Sequence, residues 1–123
     1  MDRYLLVMLG AAAGGAARYA IGTAVMQRFG IRFPLGTFVV NVSGCFLIGV
    51  LMTLLTERWT AYPQWRLLLV VGVLGGYTTF SSFAWETYQS VRDSSPVIGL
   101  ANILGSVTLG YAAVWCGALL ARP

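Results

Sequence analysis

The sequence predicts an all-α membrane protein of four transmembrane helices, the third broken near its middle. Three observations predict it. Of 123 residues, 58% are hydrophobic and 10% are charged, against about 25% charged in soluble domains, and the mean hydropathy is +0.76. The apolar residues fall into four stretches near the roughly 20 residues a helix needs to cross hydrocarbon, giving one transmembrane domain over residues 1–123. The third stretch carries GGYTTFSSF at residues 75–83, where a spanning helix should be most regular. Gly-Gly weakens a helix by about 2 kcal/mol relative to Ala-Ala, and Thr is also a weak helix former. A backbone group freed there must find a partner within the protein or in a water-lined cavity.

Span one covers about residues 4–26. A signal peptide is the competing reading of this apolar start. One Arg beside one Asp is a poor positive n-region, and hydrophobicity resumes after Arg18, so a retained helix is expected. Gly10 and Gly14 frame three alanines in a small-xxx-small face that admits a close neighbouring helix. Arg18 lies deep in the span, where a cation costs several kcal/mol unless it reaches water, an anion or the interface. It either snorkels to the nearer end or draws anions inward.

Pro34 closes the first connection and suits the start of a helix. Span two covers about residues 35–56, and Asn41 is its costliest polar group, since a carboxamide in hydrocarbon requires hydrogen bonds. It either bonds a neighbouring helix or turns its NH₂ donor into a polar pathway. The second connection sets Trp59, Tyr62 and Trp65 beside Arg58 and Arg66, an interfacial belt, with Pro63 expected to break the helix. Span three covers about residues 67–90. Pro96 starts span four, about residues 96–120, which includes Asn102 and Ser106.

Charge and side-chain chemistry exclude several functions. All eight basic residues are Arg, and seven lie near the ends of apolar stretches, which is membrane flank chemistry and not a nucleic-acid surface. The chain contains no His and four carboxylates, three of them in loops or at the terminus, so enzymatic catalysis has almost nothing to work with. Cys45 and Cys116 both fall in apolar spans, as small hydrophobes do. Arg3, Arg58, Arg66 and Arg122 share one side of the membrane, and Arg28, Arg32 and Arg92 the other. Four against three is almost no positive-inside bias. A chain that inserts both ways is expected to form an antiparallel, dual-topology homodimer.

On a helix, Thr79, Ser82, Phe83 and Glu86 are spaced i, i+3, i+4 and i+7 and share a face, with Phe80 at its border. Aromatic ring edges are positive and hydroxyls donate hydrogen bonds, so this track with the Asn41 amide suits a small anion. Plain packing, with hydroxyls satisfying local carbonyls, is the competing reading. Unwound carbonyls at residues 75–78 suit a cation such as Na⁺.

Three stretches carry a resemblance: GTFVVNVSGCFLIG at 36–49, GGYTTFSSF at 75–83, and GGAARY at 14–19. With them the chain resembles, over essentially its whole length, the bacterial fluoride channels called Fluc or CrcB. The resemblance implies an antiparallel dual-topology homodimer in the bacterial cytoplasmic membrane, with two pores exporting F⁻ passively. It also implies a structural Na⁺ at the dimer interface, held by the backbone carbonyls of Gly75 and Thr78 from each subunit. Asn41 matches the family's pore Asn, and Phe80 and Phe83 match its ring-edge phenylalanines. Ser81 and Ser82 match its hydroxyl track, beside Thr79. Glu86 corresponds to its acidic residue near the end of span three, and Arg18 to its span-one Arg, in a vestibule or anion-attracting role. In span four the family often has Tyr four residues before a Ser; here the pair is Asn102 and Ser106, and Asn still donates hydrogen bonds.

A small four-helix multidrug or cation exporter is the alternative of similar size. Exchanging cationic drugs for protons needs a buried carboxylate, and span one has Arg18 and no Asp or Glu within it. A non-transporting assembly factor would leave Asn41, Phe80 and Phe83 without a purpose.

Overall fold

Four helices long and apolar enough to cross a membrane dominate the computed structural model, which describes residues 2–60 and 62–123. The first, α1 (Arg3–Phe29), starts where Asp2 Oδ1 accepts from the Tyr4 N–H at 3.1 Å, satisfying a donor that the first turn leaves free. It ends at Gly30, whose φ of 88° suits only glycine and whose N–H returns to the Met26 carbonyl at 2.9 Å. After the buried Pro34 comes α2 (Leu35–Glu57).

The third span starts at Pro63 and not at Leu67. Pro63 opens the short turn α3 (Pro63–Trp65), so the expectation that it breaks the helix is corrected. A first-turn residue has no intrahelical acceptor for an N–H, and Pro lacks only that. A π-helical stretch, Arg66–Leu74, follows, then α4 (Gly75–Tyr77), and beyond an interruption α5 (Ser81–Asp93). The last span is α6 (Pro96–Ala121), capped by Ser95 Oγ, which accepts from the Val97 N–H at 3.1 Å.

The interruption is real but lies later than the glycines suggest. Gly75 and Gly76 remain helical, and the chain leaves the helix at Thr78, with φ −85° and ψ 157°, before resuming at Ser81. The glycines serve close approach to α1. A Cβ on Gly76 would lie 2.5 Å from the Ala11 carbonyl, and one on Gly72 2.9 Å from the Gly10 Cα. In return, a Cβ on Gly14 would run into the Val73 carbonyl. Weak helix propensity shows instead as widening: the Gly75 N–H reaches back five residues to Val70, the π pattern that tends to accompany functional sites.

Two other seams complete the bundle. On α2 and α6, Gly49 and Gly117 each meet backbone of the opposite helix, and α5 packs chiefly on α6 around Gly99. Small residues permit such approach where lipid offers no hydrophobic drive between helices. Val40, Leu74 and Tyr77 form the buried centre. Leu100, Leu109, Tyr111 and Leu120 face outward, as suits a lipid surround. Trp59, Tyr62 and Trp65 are exposed beside Arg58 at one end, the placement of an interfacial belt. Cys45 is half-buried, Cys116 is exposed, and both are free.

Candidate functional site

The interruption is held open by Asn41. Its Nδ2 donates to the Thr79 carbonyl at 2.9 Å, and its Oδ1 accepts from the Thr79 N–H, also at 2.9 Å. One carboxamide thus satisfies both backbone groups of the residue at the break. A typical hydrogen bond contributes about 1 kcal/mol net. The alternative is a bare amide at membrane depth, which costs several kcal/mol per group. Of the two readings the residues left for Asn41, the interhelical bond is therefore present, and it ties α2 to the broken backbone.

This clamp changes the local bonding. The Thr79 N–H goes to Asn41 and not to the Gly75 carbonyl four residues back. The Ser82 N–H goes to Thr79 Oγ1 at 3.2 Å and not to the Thr78 carbonyl. Both Thr78 donors, Oγ1 and N–H, converge on the Leu74 carbonyl at 2.9 and 3.0 Å. The carbonyls of Gly75 and Thr78 are left without their helical donors. Both residues border an open groove of about 370 Å³ together with Asn41, Thr79 and Phe80.

A second cavity, about 620 Å³, adjoins this one through Thr79. Arg18, Gln27, Thr37, Ser82 and Glu86 line it. Glu86 Oε1 accepts from Thr37 Oγ1 at 2.9 Å, and Glu86 Oε2 is buried without a hydrogen-bond partner among the described residues. Arg18 is half-buried and makes no ion pair among them. Thr79, Ser82 and Glu86 do share a cavity, but not as one helical face, because Thr79 precedes α5. It joins by accepting at the helix N-terminus, as a capping hydroxyl does.

The rings of Phe80 and Phe83 stand 5.7 Å apart between centroids, tilted by 50°. Phe80 is 78% exposed in the single chain. Ser81 is exposed as well, its Oγ 3.5 Å from Thr79 Oγ1. Asn102 and Ser106 lie apart and border neither cavity. Asn102 is buried, its Nδ2 donating to Thr87 Oγ1 at 2.9 Å and its Oδ1 accepting from Ser106 at 3.2 Å. Sequence reasoning did not single out Thr37 or Thr87. Each sits one helical turn from a residue it did single out, Asn41 and Phe83, and that i, i+4 spacing was the available signal. Tyr77 was also missed: its hydroxyl lies 2.9 Å from Ser43 Oγ, which itself donates to the Val40 carbonyl, so Tyr77 is the donor.

Comparison with known proteins follows the same lines. The family model described as "CrcB-like protein, Camphor Resistance (CrcB)" matches residues 5–118. The chain is 69% identical over 120 residues, 98% of each chain, to "Fluoride-specific ion channel FluC" of Solibacter usitatus (strain Ellin6076). It is 44% identical to the protein of that name in Acidobacterium capsulatum, covering 94% of this chain and 92% of that one. A third, from Chloroflexus aurantiacus, is 43% identical over 99% of this chain and 97% of its own. Matched almost from end to end, the chain belongs to the CrcB-like family.

Proposed function

We propose that this chain forms a fluoride-selective channel that exports F⁻ passively and so relieves fluoride toxicity. As a family member it is a multi-pass protein of the bacterial inner membrane and not an enzyme. One observation carries the reading. Asn41 holds the third span open beside Phe80 and Phe83, in a chain 69% identical to a protein named as a fluoride-specific channel.

The chemistry supports an anion. Fluoride is small and strongly hydrated, so a pathway must replace its water with donors. Thr79, Ser81 and Ser82 offer hydroxyls around the break, and the second Nδ2 hydrogen of Asn41 has no other partner among the described residues. The Phe80 and Phe83 edges add positive potential without a counter-charge that would trap the ion. Arg18, which lines the adjoining cavity together with Glu86, favours anion entry. Asn102 and Ser106 enter this reading from the neighbouring helix, through the bond from Asn102 Nδ2 to Thr87 on the helix that carries Phe83.

An antiparallel homodimer completes the pathway. The groove beside Asn41 and Thr79 is open, and Phe80 projects from it. Polar backbone at membrane depth is tolerated only where protein or a water-filled cavity covers it, and a second copy supplies that wall. Near-balanced Arg placement permits both orientations. A structural Na⁺ belongs to the same reading. Gly75 and Thr78, whose carbonyls have lost their helical donors, fit as its ligands, two from each chain. These carbonyls would hold the ion, which would supply positive charge to their dipoles and pin the subunits.

Purified protein in liposomes loaded with potassium fluoride tests the function. An ion electrode is expected to record F⁻ efflux while Cl⁻ is retained; no F⁻ efflux, or equal Cl⁻ efflux, overturns the reading. Exhaustive exchange of Na⁺ for N-methylglucamine is expected to slow efflux and weaken the dimer in size-exclusion chromatography. Unchanged assembly and flux would remove the Na⁺ site.

A further inference from the structure

The seam between α5 and α6 contains a directed hydrogen-bond chain that ends on a ring-bearing residue. Thr87 Oγ1 donates to the Phe83 carbonyl at 2.7 Å. With its proton committed there, Thr87 can only accept from its other neighbour, and Asn102 Nδ2 donates to it at 2.9 Å. That fixes the orientation of the Asn102 amide, whose Oδ1 then accepts from Ser106 Oγ at 3.2 Å. Ser106, Asn102 and Thr87 therefore form one line of donors from the last helix to the carbonyl of Phe83, in the turn that carries its ring. Asn102 is 1% exposed and Thr87 8% exposed, so water does not substitute for these bonds. Gly99 lets the helices close on this line: the Thr87 carbonyl lies 3.4 Å from where its Cβ would be.

We propose that Thr87 and Asn102 are positioning residues for Phe83 in fluoride conduction. The inference rests on the channel reading above. A Thr hydroxyl bonded to the carbonyl four residues back is ordinary local satisfaction in a helix. Here the same oxygen also receives Asn102, which converts a local bond into an interhelical one. The break at Thr78 uncouples α5 from the helix before it, so α5 depends on its neighbours for its rotation about its own axis. Asn41 fixes its start and Thr37 its far side through Glu86. Thr87 and Asn102 fix the face against α6. Functional groups need placement within about 0.5 Å and 10–20°, so losing this link loosens the Phe83 ring relative to Phe80 without removing either ring. Asn102 thereby contributes to the pathway without lining either cavity.

The test compares F⁻ efflux per dimer in liposomes for wild type, Thr87→Val, Thr87→Ser and Asn102→Leu, with F⁻/Cl⁻ selectivity and thermal midpoint measured in parallel. Thr87→Val keeps the shape and removes both bonds. It is expected to slow F⁻ efflux roughly three- to tenfold, the order of one net hydrogen bond, and to admit more Cl⁻, with the dimer retained. Thr87→Ser restores the hydroxyl and is expected to recover both. A double variant with Asn102→Leu is expected to be no slower than the worse single variant. Wild-type rate and selectivity in assembled Thr87→Val dimers overturns the proposal, as does failure of Thr87→Ser to recover. Should Thr87→Val not assemble, Asn102→Leu, which leaves the Thr87–Phe83 bond intact, is read by the same criteria. A wild type that carries no F⁻ overturns the channel reading itself and this inference with it.

Discussion

Asn41→Asp is expected to abolish fluoride efflux while the proposed dimer still assembles. The substitution preserves size and the Oδ1 acceptor for the Thr79 N–H. It deletes the donor to the Thr79 carbonyl and sets a carboxylate oxygen against it at the 2.9 Å contact. It also places a negative charge on the proposed anion path. Two like charges about 4 Å apart repel by roughly 4 kcal/mol at an effective dielectric of about 20, which corresponds to a rate loss of about a thousandfold. Size-exclusion chromatography separates this effect from misfolding. Normal efflux in an assembled Asn41→Asp dimer would remove Asn41 from the ion path and leave it a purely structural clamp.

Gly14→Ala is expected to destabilise the protein, and its neighbour Gly15→Ala is not. The added Cβ at Gly14 would run into the Val73 carbonyl and lie 2.9 Å from the Tyr77 N–H nitrogen, both main-chain atoms of the third span. Backbone cannot rotate away as a side chain can, so α1 must shift, at the roughly 1–3 kcal/mol typical of overpacking. The strain falls just before the break, where Tyr77 holds Ser43 of α2. At Gly15 the same methyl meets nothing within 4 Å among the described residues, and Ala is the better helix former. A thermal midpoint lowered by several degrees for Gly14→Ala and unchanged or raised for Gly15→Ala checks this. Equal midpoints would show that the α1 seam is not tightly packed.

Hydropathy and length were enough to foresee four helices of membrane-spanning length, because the bilayer imposes a length and excludes charge independently of how the helices pack. Arg28 in the last turn of α1, Arg32 just beyond it, and Pro96 with Ser95 at the start of α6 mark boundaries that depend on neighbours in sequence alone. GGYTTFSSF announced a break for the same local reason, weak helix propensity. Its exact site was not local. Whether a glycine breaks a helix or packs it depends on what lies opposite, and Gly72 and Gly76 face Gly10 and Ala11 of a helix far away in the chain. Thr78 to Phe80 gives way instead because Asn41, on another helix, takes both backbone groups of Thr79.

The candidate site divides in the same manner. Residue types at Asn41, Thr79, Phe80, Ser82 and Glu86 declared a polar and aromatic track, since each is costly in a membrane without a partner. The partners themselves are long-range: Thr37 for Glu86, Thr87 for Asn102, and the Thr79 backbone for Asn41. Hydropathy and residue type were enough to show that this chain spans a membrane with polar groups in its third helix. Tertiary structure alone decided which of those groups meet, because a hydrogen bond inside hydrocarbon is chosen by the helix that packs opposite and not by the residue that needs it.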